Sequence, residues 1–391
     1  AIRIPDGYIS AHANHSRIDK IPFSDTENCL YSRDVVSFAR AAGLYEGTDE
    51  DFSFCDTYAP ADFSALRACE ARVWAAFNIL GGGMIGDTTS RAYFKYASGQ
   101  SLDGKMPLYI KPAHKLTVKE VADVMRDHYE NTPFDMRKDI GAGGFELPYR
   151  WRPSTFEVDS VRYTNERAIA TQQTGFWMLG QARNWLPDEI GGILWFGVDD
   201  AATSCLTPIY SSGLRAPHCF AVGNGNMITY SPTSAFWVTN RVANACYKAY
   251  NIMFPTVDAE IDAWENAMME EVKKADEEAL AIYKAADSQP RKKIRRNDKA
   301  RKTVDPYSAV RDYLTAFSVA NAQNIFNKWV ELEQLLLVKY IDGNVKAQNA
   351  DGSFVTNEHT DCIPDGITQP GYTDVWKAVV AEKHGKTIEV R

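Results

Sequence analysis

Apolar residues in this chain recur three and four apart in several long stretches, and between them they alternate or cluster in short runs. From Asp34 to Arg40 and from Ala61 to Leu80 the period is helical. Leu66, Val73, Trp74, Phe77 and Leu80 share one face ahead of the glycines at 81–83, which stop the helix. Thr117 with Glu120 three residues on forms a capping box. It predicts a helix that buries Val121, Val124 and Met125 and ends near Asn131-Thr132-Pro133. Residues 138–153 read as loop, residues 155–250 as short strands broken by glycine and proline, and Phe236 to Tyr250 as helix. The run Gly192 to Val198 is wholly apolar, the mark of a strand buried on both faces.

Past Pro255 the pattern shifts to long helices. Residues 256–286 are rich in Ala, Glu and Lys. A second helix from about Tyr307 to Ile341 carries Leu314, Phe317, Ile325, Trp329, Leu332 and Leu336 as its core stripe. Between them residues 288–303 hold eight Lys/Arg against one Asp, so the two helices are expected to form an antiparallel hairpin with a basic tip. At the start, Ile2 and Ile4 alternate with Ala1 and Arg3, Pro5-Asp6-Gly7 supplies turn chemistry, and Tyr8 to Ala11 resumes an extended run. That order predicts a hairpin.

Composition narrows the class. The 391 residues are 45% hydrophobic and 24% charged with a net charge of −8, which excludes a disordered chain and leaves no overall basic field to hold nucleic acid. No apolar run is long enough to span a membrane. The seven cysteines show neither a C-x-x-C pair nor a disulfide framework. His12 and His15 stand three apart on an extended run, where they point to opposite sides, so no metal site is expected and no cofactor is implied. The glycines at 141–144 and 223–225 lack the setting of a phosphate loop and read as turns. Asp199 and Asp200 close the apolar strand. They could meet a substrate amine, but ending the strand and capping the next turn is the preferred reading. The basic run at 288–303 has no interleaved aromatics and reads as a solvated tip.

Five motifs, in order, carry a resemblance. They are Ile4 to Asn14, Lys115 to Val121, His128 to Phe134, Thr171 to Phe176 with Leu186 to Asp200, and Ser234 to Val238. Together they resemble the dipeptidase family of N-terminal-nucleophile cysteine hydrolases. The resemblance implies an α+β fold, an αββα four-layer sandwich that is incomplete here, followed by the C-terminal helical hairpin. The expected domains are 1–255, part of the sandwich; 256–342, the hairpin; and 343–391, a C-terminal extension.

The implied reaction is hydrolysis of a dipeptide or short-peptide amide by an N-terminal cysteine whose own α-amino group is the base. Residue 1 is Ala, and no cysteine sits in the family's nucleophile context. The nucleophile is therefore expected upstream, and the chain is expected to be inactive alone. Asn14 matches the position of an oxyanion-holding asparagine, against the alternative of an Asx turn. Arg72 matches an arginine that approaches the nucleophile, against the alternative of a surface ion pair with Glu70 or Asp62. Other readings are an acylase for bile-salt or penicillin-type amides, and a non-catalytic binding or assembly module. A homo-oligomer through the hairpin and an exported bacterial location are further expectations of the resemblance, the location itself being unknown from the residues.

Overall fold

The computed structural model describes residues 1–82, 91–288 and 305–390. Helix and antiparallel sheet are mixed in the manner of an α+β protein, and the chain divides into two compact units: Ala1–Met136 with Arg150–Ile169, and Arg137–Tyr149 with Ala170–Arg391.

In the first unit β1 (Ile9–Ser10) opens the order of elements, followed by α1 (Val35–Ala41), α2 (Phe54–Tyr58) and α3 (Phe63–Ala65). A π-helical segment, Leu66–Glu70, then runs directly into α4 (Ala71–Leu80). The expected apolar face is real: Leu66, Val73, Trp74 and Phe77 are all buried, and Gly81 caps the end. After α5 (Arg91–Ala97) and β2 (Tyr109–Ile110) comes α6 (Val118–Met125), which starts on the complete Thr117–Glu120 capping box. It ends at Met125, earlier than its pattern suggested, because two residues with left-handed φ, Tyr129 and Asn131, turn the chain away. β3 (Thr155–Val158) and β4 (Val161–Thr164) form a hairpin over Asp159-Ser160, both with positive φ as a two-residue turn of this hand requires.

The expected N-terminal hairpin does not form. The turn is present, with Tyr8 N–H donating to Pro5 O at 3.1 Å, but Ile2 bridges to Cys29 and β1 pairs antiparallel with β2, Ile9 opposite Ile110. Turn residues fix a local reversal, whereas pairing is decided by which strands bury apolar side chains together. Ile9 packs on the core of Val73, Trp74, Phe77 and Ile110, and that burial selects the distant partner.

The second unit is built on one antiparallel sheet, in the order β5 (Phe176–Ala182), β6 (Gly192–Val198), β7 (Thr207–Tyr210), with α7 (Asp188–Gly191) as the β5–β6 connection. β6 is not fully buried on both faces. Ile193 and Trp195 are buried, while Leu194, Phe196 and Val198 on the other face are only partly covered, and Phe196 stacks on Phe176 of β5. In an antiparallel sheet one face can meet the core while the other stays partly open, whatever the run of residue types suggests.

α8 (Ala235–Cys246), α9 (Tyr250–Asp287), α10 (Ser308–Lys339) and α11 (Asp374–Ile388) complete the unit. α9 starts at Tyr250 and continues through Pro255. A proline inside a helix costs about 3 kcal/mol, but the buried series Tyr250, Met253, Val257, Ile261 runs unbroken across it and holds the turn. α9 and α10 are antiparallel. Thr256 meets the Tyr340 hydroxyl at 2.6 Å, Lys328 meets Glu260 at 2.5 Å, and Tyr283 stacks on Tyr307 at 4.5 Å. Of the core stripe read from the sequence, all but Phe317 is buried. The basic segment expected at the tip lies outside the described residues apart from Ser288. No described helix is long and apolar enough to cross a membrane.

Candidate functional site

The site grows from the widened helical turn at Leu66–Glu70. A π turn inserted in a helix leaves one carbonyl ladder out of step and is found often at functional positions. Three charged side chains leave this turn and the first residues of α4, and each meets a group distant in sequence.

Glu70 is 2% exposed and takes the Arg17 guanidinium, whose Nε lies 3.0 and 3.1 Å from its two oxygens. The remaining nitrogens of Arg17 donate to the carbonyls of Ala11 at 3.1 Å and Pro107 at 2.9 Å. One buried ion pair thereby fastens the loop that carries Asn14 to the head of α4 and to the chain entering β2.

Arg72 stands two residues further on. Its Nε donates to Ala68 O at 2.8 Å, and its Nη2 donates to Asn14 Oδ1 at 2.8 Å. The structure thus brings both sequence-derived site residues together. It gives neither of the plainer alternatives. Glu70 is taken by Arg17, and Asp62 caps α3 by accepting from Ala65 N at 2.6 Å, so neither carboxylate serves Arg72. Asn14 gives its oxygen to Arg72 and not to an Asx turn. A guanidinium only donates, so the Asn14 oxygen must face Arg72 and its amide N–H groups must face away. Asn14 is exposed, which leaves those donors toward solvent.

Arg67 pairs with Glu166 at both carboxylate oxygens, Nε to Oε2 at 2.8 Å, and lies over the Phe134 ring at 4.6 Å. Behind it runs the loop 127–135. Tyr129 and Asn131 sit at φ 66° and 61°, a conformation that bulky side chains adopt at a cost of order 1–3 kcal/mol. Carboxylates enforce it. Glu130 accepts from His128 N at 2.6 Å, Asp127 from Tyr129 N at 3.1 Å, and Asp135 from Asn131 N at 3.0 Å. Burial and the Glu130 charge push the Asp127 carboxyl well above the usual carboxylate range. Burial works against the Glu130 charge as well, but the His128 ring and N–H outweigh it and hold Glu130 low. The loop ends its work at Tyr129, whose hydroxyl donates to Arg167 O at 2.6 Å. The family motif His128 to Phe134 was legible in the sequence; Arg17, Glu70 and Arg167 were not, because no local pattern distinguishes them.

His15 does not join His12 in a ligand pair. Its Nε2 lies 2.7 Å from Ala59 O and its Nδ1 3.7 Å from Glu70. Among the described residues the one group with the donors and spacing for a cation is Asp19, Cys55 and Asp56. There the Lys105 ammonium, 2.8 Å from Asp56 and 3.5 Å from Cys55 Sγ, already supplies positive charge. Six of the seven cysteines are buried and Cys362 is exposed. Burial pushes the thiols of Cys55, Cys219 and Cys246 up, the last to about 12, which suits small apolar side chains and not thiolates.

Asp199 and Asp200 are buried at the end of β6 and act within the fold of the second unit. Asp200 caps the next turn through Ala202 N at 3.1 Å and accepts the hydroxyls of Tyr149 and Tyr247. Asp199 has φ 66° and accepts from Asn240 Nδ2 at 3.0 Å. Burial, aided by the Asp200 charge, pushes its carboxyl up to about 7. A carboxyl whose pKa is raised on folding stabilises the fold at low pH. That contribution is complete below the unfolded value near 4 and is lost as the pH climbs to about 7. Asn tolerates the left-handed backbone, so Asp199→Asn should flatten the fall in melting temperature between about pH 4 and 7. An unchanged slope across that window would assign the titration to another group.

A profile of peptidase family C69 matches residues 1–263, which includes the whole of this site. The chain belongs to that family. Its relatives include a probable dipeptidase B of Lactococcus lactis subsp. lactis (strain IL1403), 23% identical over 246 residues, 62% of this chain and 44% of that protein. A probable dipeptidase of Salmonella dublin is 26% identical over 216 residues, 55% of this chain and 42% of the relative. A probable dipeptidase A of Streptococcus pyogenes serotype M3 (strain SSI-1) is 25% identical over 250 residues, 63% and 46%. The chain spans less than half the length of these curated relatives.

Proposed function

We propose that the chain carries the substrate-facing part of a cysteine dipeptidase that hydrolyses short-peptide amide bonds. The observation that carries this reading is the Asn14–Arg72 hydrogen bond at 2.8 Å, built inside the matched region and aimed so that the asparagine N–H groups are free to donate. In this reading an N-terminal cysteine attacks the peptide carbonyl carbon, its proton passing to the α-amino group of the same residue. Negative charge gathers on the carbonyl oxygen, and Asn14 Nδ2 stabilises it. The C–N bond then breaks, the amine leaves with the proton, and water hydrolyses the thioester to restore the thiol. None of the seven cysteines here takes the nucleophile's part in this reading; the burial of six of them supports it, and the exposed Cys362 lies outside residues 1–263. We take residues 1–255 as part of an αββα sandwich, 256–342 as an appended hairpin and 343–391 as an extension, with the sheet β5-β6-β7 belonging to the sandwich.

The test is a substrate comparison on the full-length protein with its mature N-terminus. Unblocked dipeptides should be cleaved, while conjugated bile acids and penicillin-type amides should not. Exclusive cleavage of either amide class would replace the dipeptidase by an acylase. No cleavage of any of the three would favour a binding module.

A further inference from the structure

Asn14 is the central residue of a γ-turn, since His15 N–H donates to Ala13 O at 2.7 Å. In so tight a turn the direction of the Asn14 side chain follows from how its two flanks are held. The flank before it is fastened by Arg17, whose Nη1 donates to Ala11 O at 3.1 Å. The flank after it is His15, whose side chain is 9% exposed. The ring Nε2 lies 2.7 Å from the carbonyl oxygen of Ala59, the residue that ends α2. A carbonyl oxygen only accepts, so Nε2 carries the proton and donates. That hydrogen bond joins residues 44 apart in sequence and ties the turn to the end of α2. The other nitrogen, Nδ1, is buried, faces Glu70 Oε1 at 3.7 Å and makes no hydrogen bond among the described residues. Both oxygens of Glu70 already lie against Arg17 Nε, at 3.0 and 3.1 Å. The two ring nitrogens therefore do different work: Nε2 anchors the turn, and Nδ1 packs against an occupied carboxylate.

Resting on the dipeptidase reading, we propose that His15 is a positioning residue for Asn14: its Nε2–H bond to Ala59 O sets the turn that presents the Asn14 amide to the reacting carbonyl oxygen. Arg72 fixes the far end of the Asn14 side chain through Oδ1 at 2.8 Å, and the γ-turn fixes its root. A side chain held at both ends keeps its N–H groups in one direction, and one held at a single end swings. With both of its nitrogens turned to protein groups, His15 acts on turnover only through Asn14. A donor displaced by about 1 Å can cost on the order of 10²-fold in rate.

The experiment uses the full-length enzyme with its mature N-terminus and dialanine as substrate. It compares His15→Gln, whose amide nitrogen falls near the place of Nε2, with His15→Asn, whose amide falls near that of Nδ1. His15→Gln should keep kcat within about threefold of wild type, while His15→Asn should lower it roughly 10- to 100-fold with KM within about threefold. In a background of Asn14→Ala, His15→Asn should cost no further activity, because the residue it positions is gone. Equal losses in the two single variants, a loss carried by KM, or losses that multiply in the double variant would overturn the proposal. His15→Ala takes the place of His15→Asn in every comparison if the asparagine variant does not fold. Crystal structures of the variants separate this inference from the dipeptidase reading, since they measure the Asn14–Arg72 hydrogen bond without any turnover. The bond should remain in His15→Gln and open beyond roughly 3.5 Å in His15→Asn. An opened bond in a protein that cleaves no dipeptide keeps the positioning role and removes the hydrolase. Cleavage of dialanine with the bond and kcat unchanged in His15→Asn does the reverse.

Discussion

Glu70→Ala is expected to destabilise the first unit by about 3–5 kcal/mol. The change leaves Arg17, 7% exposed, as an unpaired charge inside the protein. Coulomb attraction in the interior offsets the cost of taking two ions from water, but one ion alone has nothing to offset it. Four backbone carbonyls, those of Ala11, Met106, Pro107 and Leu108, still accept from Arg17, so the charge cannot simply swing to solvent without breaking them. The double replacement Arg17→Met with Glu70→Leu removes both charges and should cost less than Glu70→Ala alone. Denaturant titration of the single and double variants measures the difference. A loss under about 1 kcal/mol for Glu70→Ala would show the pair behaving as an exposed one. The consequence for the site is direct, since the loop that Arg17 fastens is the loop that holds Asn14.

Asn14→Ala in the full-length protein is expected to lower kcat about 10²- to 10³-fold with KM little changed, the range found when one oxyanion donor is removed. The hydrogen bond from Arg72 explains why the loss should fall on kcat. Arg72 holds the Asn14 oxygen in place, so on the proposed dipeptidase reading the amide N–H groups would be oriented before the substrate arrives and need no reorganisation as charge develops. Asn14→Asp keeps the shape but replaces the donor by an acceptor, and it should be no more active than the alanine variant. Steady-state kinetics on an unblocked dipeptide checks both. A kcat within about threefold of wild type for Asn14→Ala would remove the residue from the reaction.

Much of the helical framework could be read directly. The Thr117–Glu120 capping box formed as its residues require, and Leu314, Ile325, Trp329, Leu332 and Leu336 are buried as their spacing predicted. These are interactions within a few residues, so a sequence window contains both partners. Besides the early end of α6, the same window failed at three places. It paired the N-terminal strands with each other, although β1 finds β2 about a hundred residues on, and it called β6 buried on both faces. It also placed a helix start after Pro255, where the buried stripe carries the helix through. In each case a local preference met a packing term that only the folded neighbours supply.

The candidate site divides in the same way. Motif likeness picked out Asn14 and Arg72 in a chain whose residues lie 58 apart at that contact, but it could not say that they touch. By itself the sequence determined the mixed helix-and-sheet class, the long C-terminal helices and the family, because periodicity, capping and motif order are properties of neighbouring residues. Only the tertiary structure decided which charges are neutralised. Glu70 goes to Arg17, 53 residues away, and Glu166 to Arg67, 99 residues away, which leaves Arg72 and Arg167 without a carboxylate among the described residues. Every arginine carries the same charge in the sequence; burial and the folded position of each acid determine which of them remains available to a ligand.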